Sequence, residues 1–224
     1  MRSFARALGA LVLLCAAPAG AVPLVLGDNV LPGTTAADRP ELVGTVIADR
    51  FVDYAFAFEG RNLSGAVQQS VVRSDLDGTL AFTWRILPDS NGTLPVVGFR
   101  LAGFGDFIND GDWLRDSLGD VAPTLARKFD GGFVNFLFDD PVGPKLDQSS
   151  HIFFLKTTAT RFDSHGSYDV LCATVGACIT PTYATFAPLA GVPEPASWAL
   201  MILGFGAAGA AMRRRAGLRQ AATG

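Results

Sequence analysis

The densest group of chemistry-bearing residues lies in one acidic stretch, Gly105–Asp120. It holds Asp106, Asn109, Asp110, Asp112, Asp116 and Asp120, with glycines at Gly105, Gly111 and Gly119. Oxygen donors of this kind wrap Ca²⁺, and Asp106, Asp110 and Asp112 are the best ligand set. The spacing departs from a calcium loop, because strict alternation is confined to Asp110-Gly111-Asp112, so the competing reading is a run of solvated turn acids. Trp113, in the same stretch, could stack on a sugar ring or serve as a local packing anchor.

Other candidates are weaker. The two histidines, His151 and His165, stand apart from any serine elbow and from paired-ligand spacing such as HExxH. Asp53 with Glu59, or Asp139 with Asp140, could form a glycosidase pair only if folding sets them at the required separation. Cys172 and Cys178 are the whole cysteine complement once Cys15 leaves with an apolar leader, and an even pair in an exported protein reads as a disulfide. A two-cysteine site lacks the further ligands that zinc needs.

The elements that must carry these residues have the punctuation of an all-β fold. Short runs rich in Phe, Val, Ile and Thr are bounded by Gly, Asp, Asn and Pro. Residues 79–87 alternate, with Leu80, Phe82, Trp84 and Ile86 on one face and Thr79, Ala81, Thr83 and Arg85 on a mostly wet face. Residues 51–59 place Val52, Tyr54, Phe56 and Phe58 against Asp53, Ala55, Ala57 and Glu59, and 66–73 follow the same period. These three predict a meander with turns at Gly60–Ser64 and Asp75–Gly78. Runs at 94–104, 132–138, 151–157 and 167–172 are apolar on both faces. Together they predict an antiparallel β-sandwich of about seven to eight strands, jelly-roll or immunoglobulin-like. The acidic stretch is expected to be non-strand, with a short helical turn around Trp113–Leu118, and Thr180–Gly191 to run from a strand end into a linker.

The two ends have a different character. Residues 1–21 carry Arg2 and Arg6, an apolar run Ala7–Ala17, and Ala19-Gly20-Ala21, the pattern of a signal peptide cleaved after Ala21. Val12, Leu13 and Leu14 precede Cys15 where lipoprotein processing wants a small residue, which argues against lipidation. At the far end, Trp198–Met212 is uncharged and apolar, and Arg213, Arg214 and Arg215 follow as a stop-transfer cluster. Its 15 residues fall short of the ~20 of a comfortable transmembrane helix, so the predicted single span is a marginal anchor. Six of the 18 basic residues lie in these ends, leaving 12 against 20 of the 21 acids and a body near -8. Such a body offers no basic patch to nucleic acid.

Val192-Pro193-Glu194-Pro195-Ala196-Ser197-Trp198-Ala199, the apolar stretch and the three arginines together resemble the PEP-CTERM sorting domain, in its PEPxxWA form. That resemblance implies recognition of Pro193-Glu194-Pro195 by an exosortase in the inner membrane of a Gram-negative bacterium. Cleavage near the motif and delivery to the surface or the exopolysaccharide matrix follow from it. The runs Phe58-Glu59-Gly60, Asn62–Gly65, Gly119–Pro123 and Phe153–Thr157 resemble a domain that recurs in proteins with this signal, which implies export and no particular activity. The expected organisation is a signal peptide (1–21), a β-sandwich (22–188), a linker (189–192), the sorting signal (193–215) and a cytoplasmic tail (216–224). The expected function is that of a non-enzymatic surface or biofilm component. The alternative is a lectin-like carbohydrate-binding module, using Trp113 and calcium, with a polysaccharide hydrolase ranked behind both.

Overall fold

The computed structural model describes residues 23–143, 148–173, 178–190 and 199–209. The expected signal peptide with Ala19 and Ala21, the motif residues Val192 to Trp198, and Arg213–Arg215 lie outside the described residues. The chain divides into two compact units, Met1–Leu189 and Ala190–Gly224.

Period-two patterning turns into two antiparallel sheets. The first contains β2 (Gly44–Phe58), β3 (Arg61–Ser74), β4 (Leu80–Pro88), β9 (Phe153–Thr157) and β6 (Ile108–Trp113), side by side in that order. The second runs β1 (Gly27–Val30), β7 (Leu125–Lys128), β8 (Val134–Val142), β5 (Val96–Ala102), β10 (Arg161–Cys172) and β11 (Cys178–Ile179), with β12 (Tyr183–Leu189) also paired to β10. The β2–β3–β4 meander forms as its alternation predicts. Its first turn is tighter than expected: Glu59 and Gly60, both at positive φ (50° and 72°), make a two-residue hairpin and pairing resumes at Arg61. Positive φ at both central positions matches the right-handed twist of the flanking strands.

The strands number twelve among the described residues, against the expected seven or eight. Three of the additional ones, β1, β7 and β11, are too short for periodicity to reveal. The other two are β6, inside the acidic stretch, and β12, in the presumed linker. The short helical turn lies at Gly105–Phe107 rather than around Trp113–Leu118.

The sheets meet through aromatic rings. Phe153, fully buried on β9, has ring centroids of Phe136 at 4.8 Å, Phe99 at 5.2 Å and Phe138 at 5.9 Å, all from the opposite sheet. Trp84 on β4 stacks on Phe153 and donates its indole N–H to Thr185 Oγ1 on β12 at 3.0 Å. Arg50 of β2 reaches across one side of the sandwich: its Nη2 donates to the Ala184 carbonyl at 3.0 Å, and its guanidinium lies 4.3 Å from the Phe186 centroid. At the end of β10, Cys172 pairs in register with Cys178 and the two are joined by a disulfide, Cα atoms 5.2 Å apart. Closing so short a loop contributes about 2 kcal/mol in the chain-entropy account.

Because Phe153 touches four other aromatic residues, its truncation leaves a void lined from both sheets. Phe153→Ala should lower unfolding free energy by about 3–5 kcal/mol, read from urea denaturation. A loss below about 1 kcal/mol would mean that the rings do not form one packed core.

Candidate functional site

Strand β6 places the acids singled out by sequence in two different environments. Asp110 and Asp112 alternate to the same outward face of the five-stranded sheet, yet they are 4% and 2% exposed. The segment before β2 roofs them. Arg39, itself 3% exposed, donates from Nη2 to Asp110 Oδ1 at 2.9 Å and pairs with Glu41. Asp112 Oδ1 accepts the backbone N–H groups of Gly33 and Trp113, each at 2.9 Å. Asp106 is exposed at the short helical turn. Among the described residues no three His, Cys, Asp or Glu side chains come together as a metal site. The structure therefore brings Asp110 and Asp112 onto one face, leaves Asp106 apart, and engages the first two with Arg39 and Gly33.

Trp113 is half-buried. Its Nε1 points to the Leu31 carbonyl at 3.4 Å and its ring lies 5.0 Å from that of His151. Gly33, at φ 75°, passes so close that a Cβ there would sit 2.5 Å from the indole Cε2. The ring is thus the floor on which the N-terminal segment rests, and the packing-anchor reading describes its contacts. His151 Nδ1 is 3.4 Å from Ser117 Oγ, but that hydroxyl donates to the Leu114 carbonyl and accepts from the Ile152 N–H, so it is a loop fastener. His165 is exposed and pairs with Asp163.

The two carboxylate pairs differ in placement. Asp53 and Glu59 are exposed and six residues apart along β2 and its turn, which sets them roughly 20 Å apart, beyond the ~5–9.5 Å that such chemistry uses. Asp139 and Asp140 are adjacent on β8, both exposed, where the pairing of β8 with β5 shifts register.

Electrostatics follow from the roof. Burial raises the carboxyl groups of Asp110 and Asp112 above the ordinary 3.8, outweighing the pull of Arg39 on the former and of backbone N–H donors on the latter. Lys156, also on the outward face and 3% exposed, donates from Nζ to the Glu41 carbonyl at 3.2 Å and to Thr79 Oγ1, with Asp77 Oδ1 at 3.5 Å. Burial would raise Asp77 as well, but hydrogen bonds from Thr79 and the nearby Lys156 ammonium hold it down at about 2.

Beside this roofed zone, the same face opens into a groove of about 480 Å³. Apolar side chains of Leu42, Val46, Val72, Leu114, Ile152 and Phe154 line it, together with Asp49, Gln68, Ser70 and Thr83. The register explains the grouping: Asp49, Ser70, Thr83, Phe154 and Asp112 form one row across all five strands. Sequence reasoning missed this groove. The polar members were visible as the outward half of the 66–73 alternation, but their neighbours are set by β9 and β6, far along the chain.

In the C-terminal unit, residues 199–209 form a helix, α1, whose Leu200, Ile202, Leu203 and Phe205 are about 70% exposed. No helix among the described residues is long and apolar enough to cross a membrane. Residues 191–215, which include α1, match the family model of the PEP-CTERM protein-sorting motif. The chain carries a PEP-CTERM sorting motif. No curated protein and no solved structure matches the chain.

The PEP-CTERM motif makes this an exported protein addressed to an exosortase, with processing at the membrane and cell surface of a Gram-negative bacterium. Ala199, the last residue of the expected motif, is the first described residue of α1. The motif covers 191–215 and says nothing of the sandwich.

Two outcomes test the roof of this PEP-CTERM protein. Arg39→Met leaves Asp110 buried and unpaired, so it should cost about 3–5 kcal/mol in urea unfolding, and the double variant Arg39→Met/Asp110→Leu should recover most of it. For Asp77, a folded value below the ordinary 3.8 means stability present above about pH 4 and lost as pH falls towards 2. Asp110 and Asp112, shifted up, act oppositely, contributing below 3.8 and losing that contribution as pH rises through their folded values. Melting temperature should therefore drop less between pH 4 and pH 2 in Asp77→Asn than in the wild type, and an equal drop would show that Asp77 is not held by Thr79 and Lys156.

Proposed function

We propose that the protein is a non-enzymatic component of the bacterial surface, delivered as a disulfide-bonded β-sandwich into exopolysaccharide or biofilm material. The single observation that carries this reading is the sorting-motif match at residues 191–215. Three physical points support it. A helix made of the 15 residues Trp198–Met212 would span only about 22 Å, short of a ~30 Å hydrocarbon core, which suits an intermediate held in the inner membrane and then cleaved. The Cys172–Cys178 bridge belongs to an oxidising compartment. Asp53 and Glu59, one of the pairs that invited a glycosidase reading, lie six residues apart along β2 and its turn.

A lectin-like role is the second reading, favoured by the polar side chains of Asp49, Gln68, Ser70 and Thr83 in the outward groove. The signal peptide, the transmembrane passage and the exosortase cut define a processing order that mass spectrometry follows directly. Protein released from the cell surface should begin near Val22 and lack the apolar tail, whereas replacing Pro193, Glu194 and Pro195 by alanine should leave a full-length C-terminus in the inner membrane. Surface material with an intact Gly224 would overturn the proposal.

A further inference from the structure

We propose that the groove on the outward face of the five-stranded sheet is a subsite for an amino sugar, a pyranose carrying a free ammonium group, within an extracellular polysaccharide. This rests on the reading that the protein is delivered into such a matrix, and it names the ligand chemistry that the groove selects.

Charge decides the class. Asp49 is the one charged residue among those lining the groove, and it enters no ion pair among the described residues. Its neighbours orient it: Gln68 Nε2 donates to Asp49 Oδ1 at 3.2 Å and Ser70 Oγ donates to the same oxygen. Oδ2 accepts no hydrogen bond from the described residues, and Asp49 is exposed. The nearby basic side chains are committed elsewhere. Arg50 turns inward onto Phe186, Lys156 is held by Glu41 and Thr79, and Arg85 donates to Ser149 Oγ at 2.8 Å. A carboxylate fixed by two donors and left with one free oxygen is a preorganised acceptor for an ammonium group.

The surroundings select a sugar over a bare amine. Phe51, 58% exposed, stands two residues from Asp49 on the same outward side of β2 and directly opposite Gln68. Its ring offers a flat apolar surface to the C–H face of a pyranose. Ser70 lies beside the carboxylate and Thr83 one strand further along the same row, both lining the groove where ring hydroxyls would lie. At about 480 Å³ the groove lies within the range of small-ligand sites.

The test uses the full-length chain in detergent at pH 6, titrated calorimetrically with a β-1,4 glucosamine tetramer, its fully N-acetylated counterpart, and n-butylamine. The free-amine tetramer should bind at least about tenfold more tightly than the acetylated one, since a charged hydrogen bond is replaced by a neutral amide. Asp49→Asn, an isosteric change at an exposed position, should abolish that preference with an unchanged melting temperature, and Phe51→Ala should weaken the free-amine tetramer further. Equal binding of the two tetramers, binding of neither, an unaffected Asp49→Asn, or n-butylamine binding as tightly as the sugar would each overturn the proposal. Surface fractions of the wild type and the Asp49→Asn variant separate the two readings: correct delivery of both with no sugar preference in either removes the groove proposal alone, and failed delivery of the wild type removes the matrix reading beneath it.

Discussion

Strand β9 has both faces out of water, and the arrangement of the whole sandwich follows from how that is achieved. Its inward side chains, Phe153 above all, meet the opposite sheet through aromatic contacts. Its outward side chains, Phe154 and Lys156, are covered by the segment that precedes β2, and that cover is held by polar pairs: Arg39 with Asp110, the Gly33 amide with Asp112, and the Glu41 carbonyl with Lys156. A charged group withdrawn from water is tolerated only with a partner. The acids of β6 are therefore part of what fastens the roof. The same cover ends before Asp49, which is why one end of the register row is closed and the other open.

Much of the sandwich was legible from period-two alternation. Trp84, Phe82 and Ile86 face the core as their spacing dictates, and the β2–β3–β4 meander follows from three runs of the same kind. The acidic strand β6 was not legible, because Asp110-Gly111-Asp112 is poor strand sequence taken locally. Its pairing with β9 and its partners in the segment before β2 supply what propensity lacks. The wet face predicted opposite Trp84 is also drier than its sequence suggests, with Ala81 2% exposed, for the same non-local reason. Strand β12 escaped notice because Pro188 and its alanines read as linker composition, while its inward Thr185 caps the Trp84 indole.

The sorting signal is legible for the opposite reason. An exosortase reads a linear motif followed by a short apolar helix and arginines, so the information lies in contiguous residues and needs no tertiary contact. The sandwich keeps its functional information in which strands lie side by side, and a groove built from β2, β3, β4 and β9 has no linear signature. Address and tertiary surface are thus encoded in different ways in one chain, and only the first can be read without the fold.

Native-state hydrogen exchange tests the central claim, that the segment before β2 is a structural layer fastened to the sheet. The amides of Gly33, Thr34 and Arg115, bonded to Asp112 Oδ1, the Trp113 carbonyl and the Thr34 carbonyl, should exchange as slowly as those in the centre of β9. Exchange of these three at the rate of an unstructured chain, with β9 still protected, would contradict the account.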